Sequence, residues 1–322
     1  MTISEHEARE FAATFARLVD TVGEALLGKA HVVRLALTCL FADGHLLLED
    51  APGTGKTALA RAIAAAVAAP HSRIQFTPDM LPSDITGVTI FDQAGGNWNF
   101  HHGPIFASIV LADEINRASP KTQSALLEVM EESRVTVDGR SYATPRPFMV
   151  VATQNPIEQA GTYRLPEAQL DRFLMKTSIG YPPHEQFVEV LEGAAAPDRS
   201  SRLQPVIDGN AVLALSASVT TTHTDRAVTD YIANLAEATR DSPHTRIGVS
   251  IRGAIGMARC ARVWAAAQGR AYVMPDDVKA LIEPVWGHRL VLDPDAQFAG
   301  VTPAKVLGEA LGAVVPPAQG AV

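Results

Sequence analysis

The stretch Leu46-Leu47-Leu48-Glu49-Asp50-Ala51-Pro52-Gly53-Thr54-Gly55-Lys56-Thr57 constrains this chain more than any other. Its three leucines read as a short buried strand, and Pro52, Gly53 and Gly55 then force a turn. Thr57 opens an alanine-rich run, Ala58 to Ala69, that suits a helix and is stopped by Pro70. Strand, glycine turn, Gly-Lys-Thr and helix in that order form a phosphate-binding loop. Backbone N–H groups curl around phosphate oxygens there, and the helix N-terminus adds partial positive charge. On this pattern Lys56 reaches the β- and γ-phosphates and the Thr57 hydroxyl ligates Mg²⁺. Asp50, Ala51, Pro52, Gly53, Thr54, Gly55 and Ala58 are expected around the same nucleotide. Asp50 stands where the general pattern has its first glycine.

The chain is long enough, at 322 residues with 47% hydrophobic, for about two domains. A net charge of −8 speaks against a dedicated nucleic-acid binder, which usually carries a basic surface. Two cysteines, Cys39 and Cys260, imply no disulfide framework and read as small core residues. No apolar run reaches 18 residues and no hydrophobic signal core opens the chain, so a cytoplasmic protein without a membrane span is expected.

Helices are expected over 5–27, with Phe11, Phe15, Leu18 and Val22 at helical spacing, and over 30–41. Arg73 to Phe76 suits a second strand, the unbroken apolar run Ile109 to Asp113 a third, Phe148 to Ala152 a fourth and Leu174 to Ile179 a fifth. Strands that alternate with helices predict a parallel α/β sheet. Two hairpins are expected, around Gln93–Asn97 and around Asp138-Gly139. Beyond Tyr181-Pro182-Pro183 the pattern is helical with no strand ladder. The expected division is a nucleotide-binding core over 1–181 and an all-α domain over 182–322, with a frayed tail from Val314.

Asp113 and Glu114 end the third strand. Asp113 there can hold Mg²⁺ through water beside Thr57, and Glu114 can polarise an attacking water. Asn155, at the end of the fourth strand, can orient that water with a neutral amide. His101-His102 has no second ligand pair at zinc spacing. Trp98, Trp264 and Trp286 read as packing residues, and Arg134 and Arg140 as a hairpin's solvated face or a pore lining.

In these residues the chain resembles the AAA+ ATPases of the MoxR family. The likeness rests on the phosphate loop, on Thr77-Pro78-Asp79-Met80-Leu81-Pro82-Ser83-Asp84-Ile85-Thr86-Gly87, on Ala112-Asp113-Glu114-Ile115-Asn116-Arg117-Ala118, on Ala152-Thr153-Gln154-Asn155-Pro156 and on Leu165-Pro166-Glu167-Ala168-Gln169-Leu170-Asp171-Arg172-Phe173. It implies a five-stranded sheet in the order 5-1-4-3-2, a C-terminal helical lid, and two hairpins, one inserted in a helix and one before the fourth strand. It makes Asn155 sensor 1, Arg172 an arginine finger and Arg252 sensor 2, and it puts Leu27 and Gly28 near the adenine. From residues alone, Arg172 could instead pair with Asp171 or another carboxylate, and Arg252 could be a solvated first-turn arginine. Ala160, Arg164 and Ile251 depart from the family's usual letters. The implied activity is Mg²⁺-dependent ATP hydrolysis by a homo-oligomeric ring, expected as a hexamer. That ring would remodel or activate a protein client carrying a von Willebrand factor A domain, or insert its metal cofactor. A nucleic-acid-stimulated motor and a non-hydrolysing nucleotide switch are the alternatives.

Overall fold

The computed structural model describes residues 2–51, 53–155, 162–192 and 199–317. The chain begins with α1 (Glu5–Ala25) and α2 (Ala30–Phe41), followed by β1 (Leu46–Glu49), α3 (Lys56–Ala66), β2 (His71–Gln75) and α4 (Pro82–Thr86). A hairpin, β3 (Gly87–Asp92) and β4 (Asn97–His102), leads to β5 (Ile109–Asp113) and α5 (Pro120–Glu132). A second hairpin, β6 (Arg134–Val137) and β7 (Arg140–Ala143), precedes β8 (Met149–Gln154). Then come α6 (Glu167–Leu170), β9 (Met175–Thr177), α7 (His184–Glu192), α8 (Gly209–Val219), α9 (Arg226–Asp241) and β10 (Thr245–Ile247). The chain continues with α10 (Ile251–Ala266), α11 (Pro275–Trp286), β11 (Val291–Leu292), α12 (Pro294–Phe298) and α13 (Pro303–Ala313).

Five strands form one sheet in the order β2-β5-β8-β1-β9. Numbered along the chain, this is the expected order 5-1-4-3-2. Every residue of β5 and the first five of β8 are buried, as parallel strands covered on both faces require. The strand register positions the functional residues. Gln75 pairs with Asp113 and Glu49 with Gln154, so the C-terminal ends of β2, β5, β8 and β1 line up along one edge. Ligands of open α/β sheets bind at such an edge. Phe11, Phe15, Leu18 and Val22 of α1 are fully buried, as their spacing predicts.

Both hairpins form. Asp138 and Gly139 both take positive φ, at 49° and 74°, which matches the twist of a tight hairpin. The first hairpin follows α4, and the chain passes through turns, without returning to helix, before β5. Phe100 of that hairpin stacks on Tyr142 of the second at a centroid distance of 4.2 Å. Trp264 and Trp286 are buried, but Trp98 is 66% exposed and leans on Phe91, so it is no core residue. His45 cross-links the interior: its Nδ1 accepts from Val150 N at 3.0 Å and its Nε2 lies 3.0 Å from Met130 O.

The C-terminal region is helical, and hydroxyl or carboxylate caps start four of its helices: Asp225 for α9, Ser250 for α10, Asp293 for α12 and Thr302 for α13. It also holds a short antiparallel pair, β10 with β11, where the sequence suggests no strand ladder. At three and two residues these strands are too short for alternation to register. The chain packs as two compact units. One comprises Arg17–Leu165 and Thr177–Leu213; the other comprises the segment up to Ala16, Pro166–Lys176 and the chain from Ala214 on. Among the described residues no helix is long and apolar enough to cross a membrane.

Candidate functional site

The site lies at the sheet edge where β1 gives way to α3. Gly53 and Gly55 take φ of 82° and 100°, left-handed values that residues with a Cβ avoid, and so let the backbone turn back over the helix start. Lys56 begins α3. Its Nζ donates to Asp50 O at 3.0 Å and Ala51 O at 2.8 Å, which holds the ammonium across the mouth of the loop. Thr54 donates its hydroxyl to Ala51 O at 3.3 Å. Pro52 lies outside the described residues, as do 156–161, which include Pro156 and Ala160.

Asp50, the residue in place of a glycine, is buried. Its Oδ2 accepts from Gly180 N at 2.9 Å and from Ile179 N. The start of the loop is thereby tied to the segment after β9. The same segment meets the turn after α1: Lys29 Nζ donates to Tyr181 O at 2.5 Å, and Gly28, at φ 69°, packs against Pro183 and Gln186. The Leu26 side chain of that turn lies over Gly55. The turn that carries Leu27 and Gly28 thus meets the phosphate loop through Leu26 and the segment after β9 through Gly28.

Across the cleft, Asp113 and Glu114 are each held by specific partners. Asp113 Oδ1 accepts from Thr153 Oγ1 at 2.6 Å and its Oδ2 from Arg73 at 2.7 Å. The Thr153 oxygen in turn accepts from Glu114 N at 2.9 Å. Glu114 takes φ 58° and ψ 48°, a left-handed conformation rare for a residue with a side chain. Such outliers cluster at functional sites. Its Oε2 accepts from Gln75 Nε2 and from Arg117 NH1, both at 2.9 Å. No sequence motif singles out Arg73, Gln75, Arg117 or Thr153 for these contacts. A signal existed: Arg73 and Gln75 alternate with Ile74 and Phe76 in a strand beside the one that ends in Asp113, so both face the same way.

Gly53, Gly55, Lys56, Thr57, Ala58, Asp113, Glu114 and Asn155 line one cleft of about 470 Å³, together with Arg61, Arg73, Thr153 and Gln154. The lining suits a polyphosphate with a hard cation. Lys56, Arg61, Arg73 and a helix N-terminus face anions, while Thr57, Asp113 and Glu114 offer the oxygen donors that Mg²⁺ prefers. Asn155 is buried immediately beyond β8. Arg172 and Arg252 belong to the other compact unit. Arg172 is half-buried after α6, and Arg252 is exposed in the first turn of α10, beside the exposed Ile251. Cys39 and Cys260 are buried and not joined in a disulfide.

Comparison with known proteins agrees with this geometry. Residues 45–175 match the model of the ATPase family associated with various cellular activities, and 237–310 match the AAA lid domain. The chain is 44% identical to the uncharacterized protein YeaC of Bacillus subtilis, over 94% of this chain and 95% of the relative. It is 39% identical to the chaperone MoxR1 of Mycobacterium tuberculosis, over 96% of this chain and 84% of the relative. A crystal structure from Cytophaga hutchinsonii, presented as a candidate ATPase, superposes with a TM-score of 0.89 at 33% identity, covering 98% of each chain. The chain belongs to the MoxR group of the AAA ATPases.

Proposed function

We propose that this ATPase works as a homo-oligomeric ring, a hexamer in the simplest form, and uses Mg²⁺-dependent ATP hydrolysis to remodel a protein client. The observation that carries the reading is the convergence of Lys56, Thr57, Asp113, Glu114 and Asn155 on one cleft. Lys56 exchanges its carbonyl partners for the β- and γ-phosphate oxygens. Thr57 and Asp113 would hold the metal, which when bound would neutralise charge that builds on the phosphates. Glu114 polarises the attacking water and Asn155 orients it. Arg172 is read as a finger that reaches a neighbouring subunit's site, and Arg252 as a phosphate sensor. Asp50 fixes the start of the loop, and Leu27 and Gly28 flank the base.

A protein client is supported by the relative named a chaperone. The family resemblance points to a client with a von Willebrand factor A domain. A cytoplasmic setting fits two buried cysteines that form no disulfide; burial pushes the Cys260 thiol up to about 12. Two substitutions test the site. Lys56→Ala is expected to abolish ATP binding. Glu114→Gln is expected to keep binding and lose turnover, because an amide cannot polarise water. Wild-type turnover by Glu114→Gln would remove the carboxylate from its assigned role.

A further inference from the structure

Asp171 and Arg289 stand 118 residues apart in sequence and form an ion pair that is almost closed to solvent: the Arg289 side chain is 3% exposed and that of Asp171 22%. Arg289 closes the 3-10 turn Gly287–Arg289 after α11. Its Nε donates to Asp171 Oδ1 at 2.8 Å. The rest of the guanidinium fans over the main chain on both sides of Arg172. One nitrogen donates to Asp171 O at 3.3 Å and Phe173 O at 2.8 Å, and the other to Leu174 O at 3.2 Å and to Val285 O. Three carbonyls that bracket Arg172 are thus held by one planar group.

The second anchor is Ser250. Its hydroxyl donates to Asp171, with the oxygens at 3.1 and 3.3 Å, and accepts from Gly253 N at 3.0 Å as the cap of α10. Gly253 is needed there, because a Cβ would stand 2.8 Å from Arg289 Cδ. Its carbonyl accepts from Trp286 Nε1 at 2.9 Å. A buried ion pair is a weak source of stability, since desolvation offsets much of the attraction. A rigid guanidinium fork is, however, an effective way to fix direction.

We infer that Arg289 and Asp171 are positioning residues for Arg172: they fix the backbone from which its guanidinium projects, so that it reaches a neighbouring subunit's phosphates in one orientation. This rests on the reading of Arg172 as a finger in trans. Neither residue of the pair is among those that line the phosphate cleft, so losing it spoils the finger and leaves the cleft's own residues in place.

The experiment uses full-length chains, co-expressed in pairs with different tags so that mixed assemblies can be purified. Asp171→Ala is expected to fold, to bind ATP within about twofold of wild type, and to lose kcat by tenfold or more, toward the roughly 10³-fold that loss of a finger costs in related enzymes. Asp171→Asn keeps an acceptor for Arg289 and is expected to retain more activity than Asp171→Ala. Mixed with Glu114→Gln subunits, which keep a good finger, Asp171→Ala is expected to recover turnover. Mixed with Arg172→Ala it is expected to recover none. Ser250→Ala gives the same pattern in milder form and serves if Asp171→Ala does not fold. Wild-type kcat in Asp171→Ala, or in Ser250→Ala where that stands in, would overturn the inference. So would recovery with Arg172→Ala in place of Glu114→Gln. Full activity of Arg172→Ala alone would instead remove the finger reading.

Discussion

Thr153 donates its hydroxyl to Asp113 Oδ1 at 2.6 Å while the same oxygen accepts the amide of Glu114 at 2.9 Å. One buried hydroxyl on β8 thus sets both acidic residues at the end of β5. Thr153→Val keeps the shape and removes the bonds. Leaving a buried carboxylate oxygen and a main-chain N–H short of a partner costs about 1–3 kcal/mol. The variant is expected to unfold at lower denaturant with an unchanged m-value and to lose turnover, and Thr153→Ser is expected to restore much of both. Unchanged stability in Thr153→Val would contradict this role for the hydroxyl.

Asp50 bears on the chemistry of the phosphate loop. Its carboxylate takes two N–H groups, of Ile179 and Gly180, so it acts in the fold as a tether. Asp50→Gly, which restores the general loop pattern, is therefore expected to weaken the protein by about 1–3 kcal/mol and to give no gain in ATP affinity. Denaturant titration with nucleotide-binding measurements would check both halves. A tighter-binding, equally stable glycine variant would show that the tether is dispensable.

His288 gives a pH dependence. Burial, with Arg289 and Lys176 nearby, holds its pKa well below the usual value of 6.5, against the bond to Phe173 O that favours the charged form. The unfolded chain therefore takes up this proton first as pH falls. The contribution is complete above about pH 6.5 and is lost as pH falls from there toward the lower folded value, by at most about 1.4 kcal/mol per pH unit for one proton. His288→Gln is expected to flatten the stability difference between pH 7 and pH 5 relative to wild type. An identical pH profile in both proteins would rule His288 out as its source.

Charge makes a prediction about partners. With 27 basic against 35 acidic residues the chain lacks the basic excess that dedicated nucleic-acid binders usually carry. ATP turnover is expected to be insensitive to single- and double-stranded DNA at physiological salt. A tenfold stimulation that disappears at high salt would favour a nucleic-acid motor over protein remodelling.

The sequence by itself determined the nucleotide-binding element, the alternation of strand and helix, and the turn at Asp138-Gly139. Each is encoded within about ten consecutive residues, where glycine, proline and periodicity act directly on the backbone. The order of the five strands followed from family resemblance, and the observed register accounts for it. What only the tertiary structure decided is which side chains hold the reactive ones. Gln75 meets Glu114, and Thr153 meets Asp113, because parallel strands far apart in sequence end in one row. Asp50 turned from a loop residue into a tether because the chain after β9 returns to it. Arg289 meets Asp171 because a turn after α11 folds back on the segment around Arg172. A carboxylate and a guanidinium more than a hundred residues apart carry no local sign of each other: their pairing depends on packing that brings both out of water to one point, and no window of sequence contains that point.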